Sequence, residues 1–205
     1  TPRGSMRRTR PILATTVLAA ALAGCLSPSD ADPSARAAGA EIFASHGATQ
    51  PPVSNVTPLP DGGFRFTSTA LLDAPEGAAW ARIGDIRTLL EIALPAATDF
   101  QWLDGGNPGR VPSRYSFQAL GATVVEEVTL RDVRERVFGY RVVFPTLGLR
   151  SYTATISLDP ADNTHTVITF TRDITFDDPS AVDTWAALFE QEIADIQAYF
   201  ADPPR

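Results

Sequence analysis

Three charged residues fall where the hydrophobic pattern calls for apolar ones. In the stretch Thr166–Phe176, alternation puts Ile168, Phe170, Ile174 and Phe176 on one face with Arg172 among them. Near the C-terminus, Glu192 interrupts an apolar helical stripe between Trp185 and Tyr199. Glu126 shares a strand face with Val124, Val128 and Leu130. A charge in such surroundings must be paired. Arg172 with Glu192 is the expected pair, and Arg172 with Glu126 is the alternative. Three roles are open to such a pair. It fastens helix to sheet, it anchors the polar end of an apolar ligand, or a carboxylate with a raised pKa (Glu126 or Glu192) moves a proton beside a tyrosine.

Other chemistry is excluded by composition. The chain has no lysine, so neither a Schiff base nor a phosphate-loop lysine is possible. Its only histidines are His46 and His165, too few for a metal set or for an activated nucleophile, and no metal or cofactor is expected. The sequence Gly105 to Gly109 reads as a turn. The net charge is −7, and the first 24 residues hold four arginines and no acid, which leaves −11 on the remainder. A domain so acidic is a poor fit to nucleic acid.

The elements that must position these groups follow from periodicity. Phe64 to Leu72 is an expected strand; Asp73-Ala74-Pro75 then opens two short helical segments ending at Pro95. Six further strands are expected at Asp99–Leu103, Ser113–Leu120, Val124–Val133, Val137–Phe144, Ser151–Leu158 and Thr166–Phe176. Short turns between them imply antiparallel neighbours. A long helix from Ser180 to Phe200 follows, capped by Asp178 with Pro179 at its first turn and stopped by Pro203-Pro204. Its broad aromatic face needs a partner as wide as a sheet. Alternation aims Tyr115, Phe117, Ala119, Phe138, Tyr140, Val142, Phe144, Tyr152, Ala154, Ile156 and Leu158 at that helix. Trp80, Trp102 and Trp185 are more readily core than ligand stackers.

The order strand-D-A-P-x-x-x-x-W-x-x-I-x-D (Asp73, Ala74, Pro75, Trp80, Ile83, Asp85), the GGNPG loop, Glu127, Asp132, Tyr140 and the last helix resemble the START-like (SRPBCC) helix-grip superfamily. The resemblance is in particular to its polyketide cyclase/dehydrase and lipid-transport branch, over about Phe64 to Phe200. The resemblance implies an α+β fold: seven antiparallel strands curved around the C-terminal helix, a cavity between them, and two short helices at one end. It also leaves Arg110 or Arg114 as the loop-strand arginine of the pattern.

The N-terminus carries a separate signal. Thr1 to Ser5 reads as the remnant of a cleaved expression tag, with Met6 as the native start. Arg7, Arg8 and Arg10 precede an apolar run to Gly24, and Leu22-Ala23-Gly24-Cys25 resembles a bacterial lipobox. Residues 6–24 are thus an expected lipoprotein signal peptide, and Cys25, the single cysteine, the expected acylation site. The stretch 25–62 is an Ala/Ser/Pro-rich tether, and 63–202 the folded domain. By resemblance to the sorting rule of enterobacterial lipoproteins, Leu26 after the cysteine, where that rule reads Asp for retention, implies the outer membrane, at the periplasmic face of the envelope.

The reading that joins these observations is a membrane-anchored protein that binds or carries a hydrophobic small molecule, such as a lipid, sterol or polyketide-like compound. Arg172, Glu192, Tyr140, Tyr152, Phe117, Phe138, Phe170, Trp102 and Trp185 are the expected contacts. A cyclase/dehydrase-type enzyme and an envelope scaffold without ligand are the alternatives.

Overall fold

A computed structural model of the chain describes residues 50–144 and 146–202. Cys25, the signal stretch, His46 and Pro203-Pro204 lie outside the described residues. The elements are β1 (Val53–Pro58), β2 (Phe64–Leu72), α1 (Glu76–Ile83), α2 (Ile86–Ala93), β3 (Thr98–Leu103), β4 (Ser113–Ala119), β5 (Ala122–Asp132), β6 (Val137–Val142), β7 (Leu149–Pro160), β8 (Thr166–Phe176), a 3-10 turn (Pro179–Ala181) and α3 (Val182–Ala201). The strands form one antiparallel sheet of eight, in the order β1-β2-β8-β7-β6-β5-β4-β3. The fold is α+β helix-grip: the curved sheet wraps α3, and the two short helices follow the early strands.

The sheet has one strand more than the seven expected. Val53–Pro58 falls inside the stretch assigned to the tether, but it pairs with β2 from Val53↔Thr69 to Pro58↔Phe64. Its side chains are mostly exposed. Hydrogen bonding to a buried neighbour, not an apolar face, therefore holds this edge strand.

Capping chemistry sets the helix starts. The Asp85 carboxylate accepts from the amides of Arg87 and Thr88 at the head of α2. Asp178 accepts from the Ser180 amide and opens the turn into α3. Along α3, Phe189, Ile193, Ile196 and Phe200 are buried. Phe189 meets Phe66 of β2 edge-on at 5.1 Å between ring centres, and Trp185 lies 6.2 Å from Phe176 of β8. Such aromatic pairs contribute about 0.5–1.5 kcal/mol each beyond the area they bury.

Inward faces follow the alternation on β4, β7 and β8, where Tyr115, Phe117, Ile156, Leu158, Ile168 and Phe170 are all buried. Two positions depart from it. Phe144 lies beyond the end of β6 in a bend and is 61% exposed. Leu130 is only half-buried, because the β5–β6 register shifts between Val128 and Leu130. That bulge sits against Gly139, where a Cβ would come within 3.1 Å of Leu130 Cβ. Trp80 is a core residue, seated on Gly84.

Candidate functional site

Between α3 and the sheet lies a cavity of about 530 Å³ counting its open mouth; the centre of a water-sized sphere can occupy about 70 Å³ of it. Leu90 and Leu94 from the α2 end close one side of it. Phe117, Val124, Trp185 and Leu188 supply apolar wall, and Tyr140, Tyr152, Glu126 and Glu192 supply its polar points. Leu120 and Leu147, both at positive φ, also line it.

The ion pair expected from the pattern is present. Arg172 Nη2 donates to Glu192 Oε2 at 2.6 Å, with the arginine side chain fully buried and the glutamate 13% exposed. The guanidinium also stacks on the Phe170 ring at 3.4 Å and on the Phe189 ring at 4.1 Å from their centres. Its Nε and Nη1 are buried with no hydrogen-bond partner. Burial pushes the Glu192 carboxyl above its usual range, and the arginine only partly offsets that.

Glu126 takes a different partner from the alternative considered for Arg172. Tyr115, opposite it in register on β4, donates its hydroxyl to Glu126 Oε2 at 2.5 Å. Burial raises the Glu126 pKa to about 7; the tyrosine bond opposes this and the Glu192 charge adds to it. Tyr140 and Tyr152 hydroxyls lie 3.5 Å apart. Burial raises the pKa of all three phenols, so they stay protonated and act as donors. The arrangement can therefore hold one end of an apolar molecule by hydrogen bonds, and Glu126 can exchange a proton near neutral pH.

The structure brings Glu126, Glu192, Tyr140, Tyr152, Phe117 and Trp185 together on the cavity wall. Arg172, Phe138, Phe170 and Trp102 are not on that wall. Arg172 is covered by its two aromatic neighbours, and Trp102 packs at the far end of the sheet on Phe100 and Tyr115. Alternation aims Tyr115 inward, as observed, but its bond to Glu126 is not among the expected pairings. The two-residue turn Leu120-Gly121 carried the signal, since pairing Ala119 with Ala122 forces Tyr115 opposite Glu126. Glu127 and Asp132 are not cavity groups: Glu127 takes Arg114 and Arg141, each at 2.8 Å, and Asp132 caps its own turn at Arg134 and Glu135. Arg114 is thus bound to the strand acid, and Arg110 is exposed. Among the described residues no cluster of three or more His, Cys, Asp and Glu is placed to hold a metal.

A helix gripped by a curved antiparallel sheet over a polar-ended apolar cavity defines the class. The chain belongs to the polyketide cyclase / dehydrase and lipid transport family, whose model matches residues 63–200. No curated protein matches it. Among solved structures, an uncharacterized protein from Bacillus thuringiensis is 17% identical, with a TM-score of 0.58 over 67% of this chain and 99% of its own. The Zhui aromatase/cyclase from Streptomyces sp. R1128 is 19% identical, with a TM-score of 0.55 over 67% of this chain and 92% of its own. Truncated norcoclaurine synthase from Thalictrum flavum is 16% identical, with a TM-score of 0.52 over 77% of this chain and 99% of its own. At these identities the likeness is one of fold.

Proposed function

We propose that this domain binds a hydrophobic small molecule in the cavity between α3 and the sheet. The observation that carries the reading is the wall itself: apolar side chains enclose the space, and a few polar groups converge at one side of it. The enclosed part is narrow, so an alkyl chain or single ring is the size of guest that fits. Native mass spectrometry of freshly purified protein tests this, with a co-purified non-covalent adduct of small mass as the expected result. Apo mass alone, with no binding of added apolar probes, refutes it.

The same proposal includes the N-terminal anchor, with Cys25 as the acylated residue and the domain held at the periplasmic face of an envelope membrane, the outer one by resemblance of the Cys25-Leu26 pair to the enterobacterial lipoprotein sorting signal. Its support is the basic run, the apolar run and Leu22-Ala23-Gly24-Cys25 in that order. Among the described residues no helix is long and apolar enough to cross a membrane. Incorporation of labelled fatty acid, lost in Cys25→Ser, is the expected result; label retained by that variant overturns it.

One observation favours a second reading, an enzyme of cyclase/dehydrase type. Glu126 lies on the cavity wall with a pKa near 7, suited to a general acid or base. A Glu126→Gln variant that binds its ligand but no longer converts it supports catalysis; unchanged ligand on prolonged incubation with the native protein excludes it.

A further inference from the structure

Resting on that cavity reading, the electrostatics of the wall narrow the chemistry of the guest. Two carboxyl groups, Glu126 from β5 and Glu192 from α3, face one aromatic-walled space. The groups that face Glu126 are Tyr115 of β4, Tyr140 of β6, Tyr152 of β7 and Glu192 of α3; Arg172 of β8 acts on Tyr140, Tyr152 and Glu192. Among the described residues the cation that acts on this cluster, Arg172, is bound to Glu192 and lies under the Phe170 and Phe189 rings, not on the wall. An anionic headgroup placed there meets the Glu126 and Glu192 carboxyls, with only the neutral Tyr140 and Tyr152 hydroxyls to donate to it. An ammonium meets the opposite: a carboxylate to pair with, and the aromatic rings of Tyr140, Tyr152 and Trp185 on the same wall.

We infer that the cavity selects an apolar amine, bound as the ammonium, over a neutral or anionic molecule of the same size. Glu126 supplies the counter-charge, and the alkyl or aryl body lies along Phe117, Val124 and Leu188. Binding is then linked to protons. Near neutral pH Glu126 is part-protonated in the empty cavity, and pairing with an ammonium drives that proton off. A neutral alcohol has no such effect, and an anion draws a proton in.

Isothermal titration of the full chain with octylamine, 1-octanol and octanoate at pH 7, each in two buffers of different ionisation heat, tests this. Octylamine is expected to bind at least about tenfold more tightly than octanoate. It is expected to release roughly half a proton per site, and to exceed 1-octanol by a ratio that collapses in Glu126→Gln. The folding of that variant is checked by circular dichroism, and Glu126→Asp, which keeps the charge, is expected to restore part of the preference. Octanoate binding as tightly as octylamine, or an amine preference that survives Glu126→Gln, overturns the amine assignment and leaves the cavity reading standing. Absence of binding by all three, in titration and in native mass spectrometry alike, overturns both.

Discussion

Removing Arg172 while leaving Glu192 in place is the sharpest test of how helix and sheet are joined. The pair is 2.6 Å apart with the arginine fully buried, so Arg172→Met strands a carboxylate in an apolar interior. Breaking a buried pair from one side costs about 3–5 kcal/mol. Losing the stack on Phe170 and Phe189 adds about 1 kcal/mol. Against this, Nε and Nη1 already lack acceptors, and deleting such donors returns about 1–3 kcal/mol. The net expectation at pH 8 is a loss of about 3 kcal/mol, read from urea unfolding followed by tryptophan fluorescence. The pH dependence has a definite sign. Glu192 is already held above its ordinary pKa and rises further without the arginine, so its penalty is absent below the unfolded value near 4.5 and complete above the folded one. The deficit of the variant therefore shrinks on acidification from pH 8 to pH 5. Adding Glu192→Leu should bring stability back to within about 1 kcal/mol of wild type. A single variant as stable as wild type at pH 8, or a double variant no better than the single, refutes the reasoning.

Glu126 should itself limit stability at alkaline pH. Its pKa rises from 4.5 to about 7, a difference of 2.5 units, so ionising it costs about 3 kcal/mol of fold stability between pH 4.5 and 7. Glu126→Gln is expected to raise the melting temperature at pH 8 and to change it little at pH 4; an equal shift at both pH values counts against the assignment. Gly84→Ala drives a Cβ to 2.6 Å from the Trp80 ring and is expected to lose about 1–3 kcal/mol in chemical denaturation. Glu127→Ala, on the outer face with two half-exposed arginines, should lose at most about 1–2 kcal/mol and leave binding of a cavity ligand unchanged by titration. Removing residues 1–62, and with them β1, uncovers the β2 edge and should make the domain markedly less stable to urea; unchanged stability would show that β1 is dispensable.

The part of the site legible in sequence is the part governed by period. Alternation of two put Arg172 among Phe170, Ile174 and Ile168, and a helical period put Glu192 on the stripe that meets them, so their meeting follows from each element closing on the other. Phe117, Tyr140 and Tyr152 were legible in the same way. What escaped depends on where strands end and on what touches what. Val53–Pro58 has no apolar alternation, because an edge strand with both faces near water needs none. Phe144 carries the right parity, but β6 has ended at Val142, and parity has no meaning beyond a strand. Arg172 was expected to reach a ligand; two rings that only the folded packing brings together cover it. Phe170 is one of those two rings, and it lies on the arginine instead of on the cavity wall.

The central claim is that a guest occupies the space under α3. Intermolecular nuclear Overhauser effects between 1-octanol methylene protons and the isotopically labelled protein measure this directly. The account predicts cross-peaks to Tyr140, Tyr152, Val124 and Leu188, lost when Ala119→Phe fills the wall. Cross-peaks confined to exposed side chains such as Phe144, or unchanged in the filled variant, would contradict it.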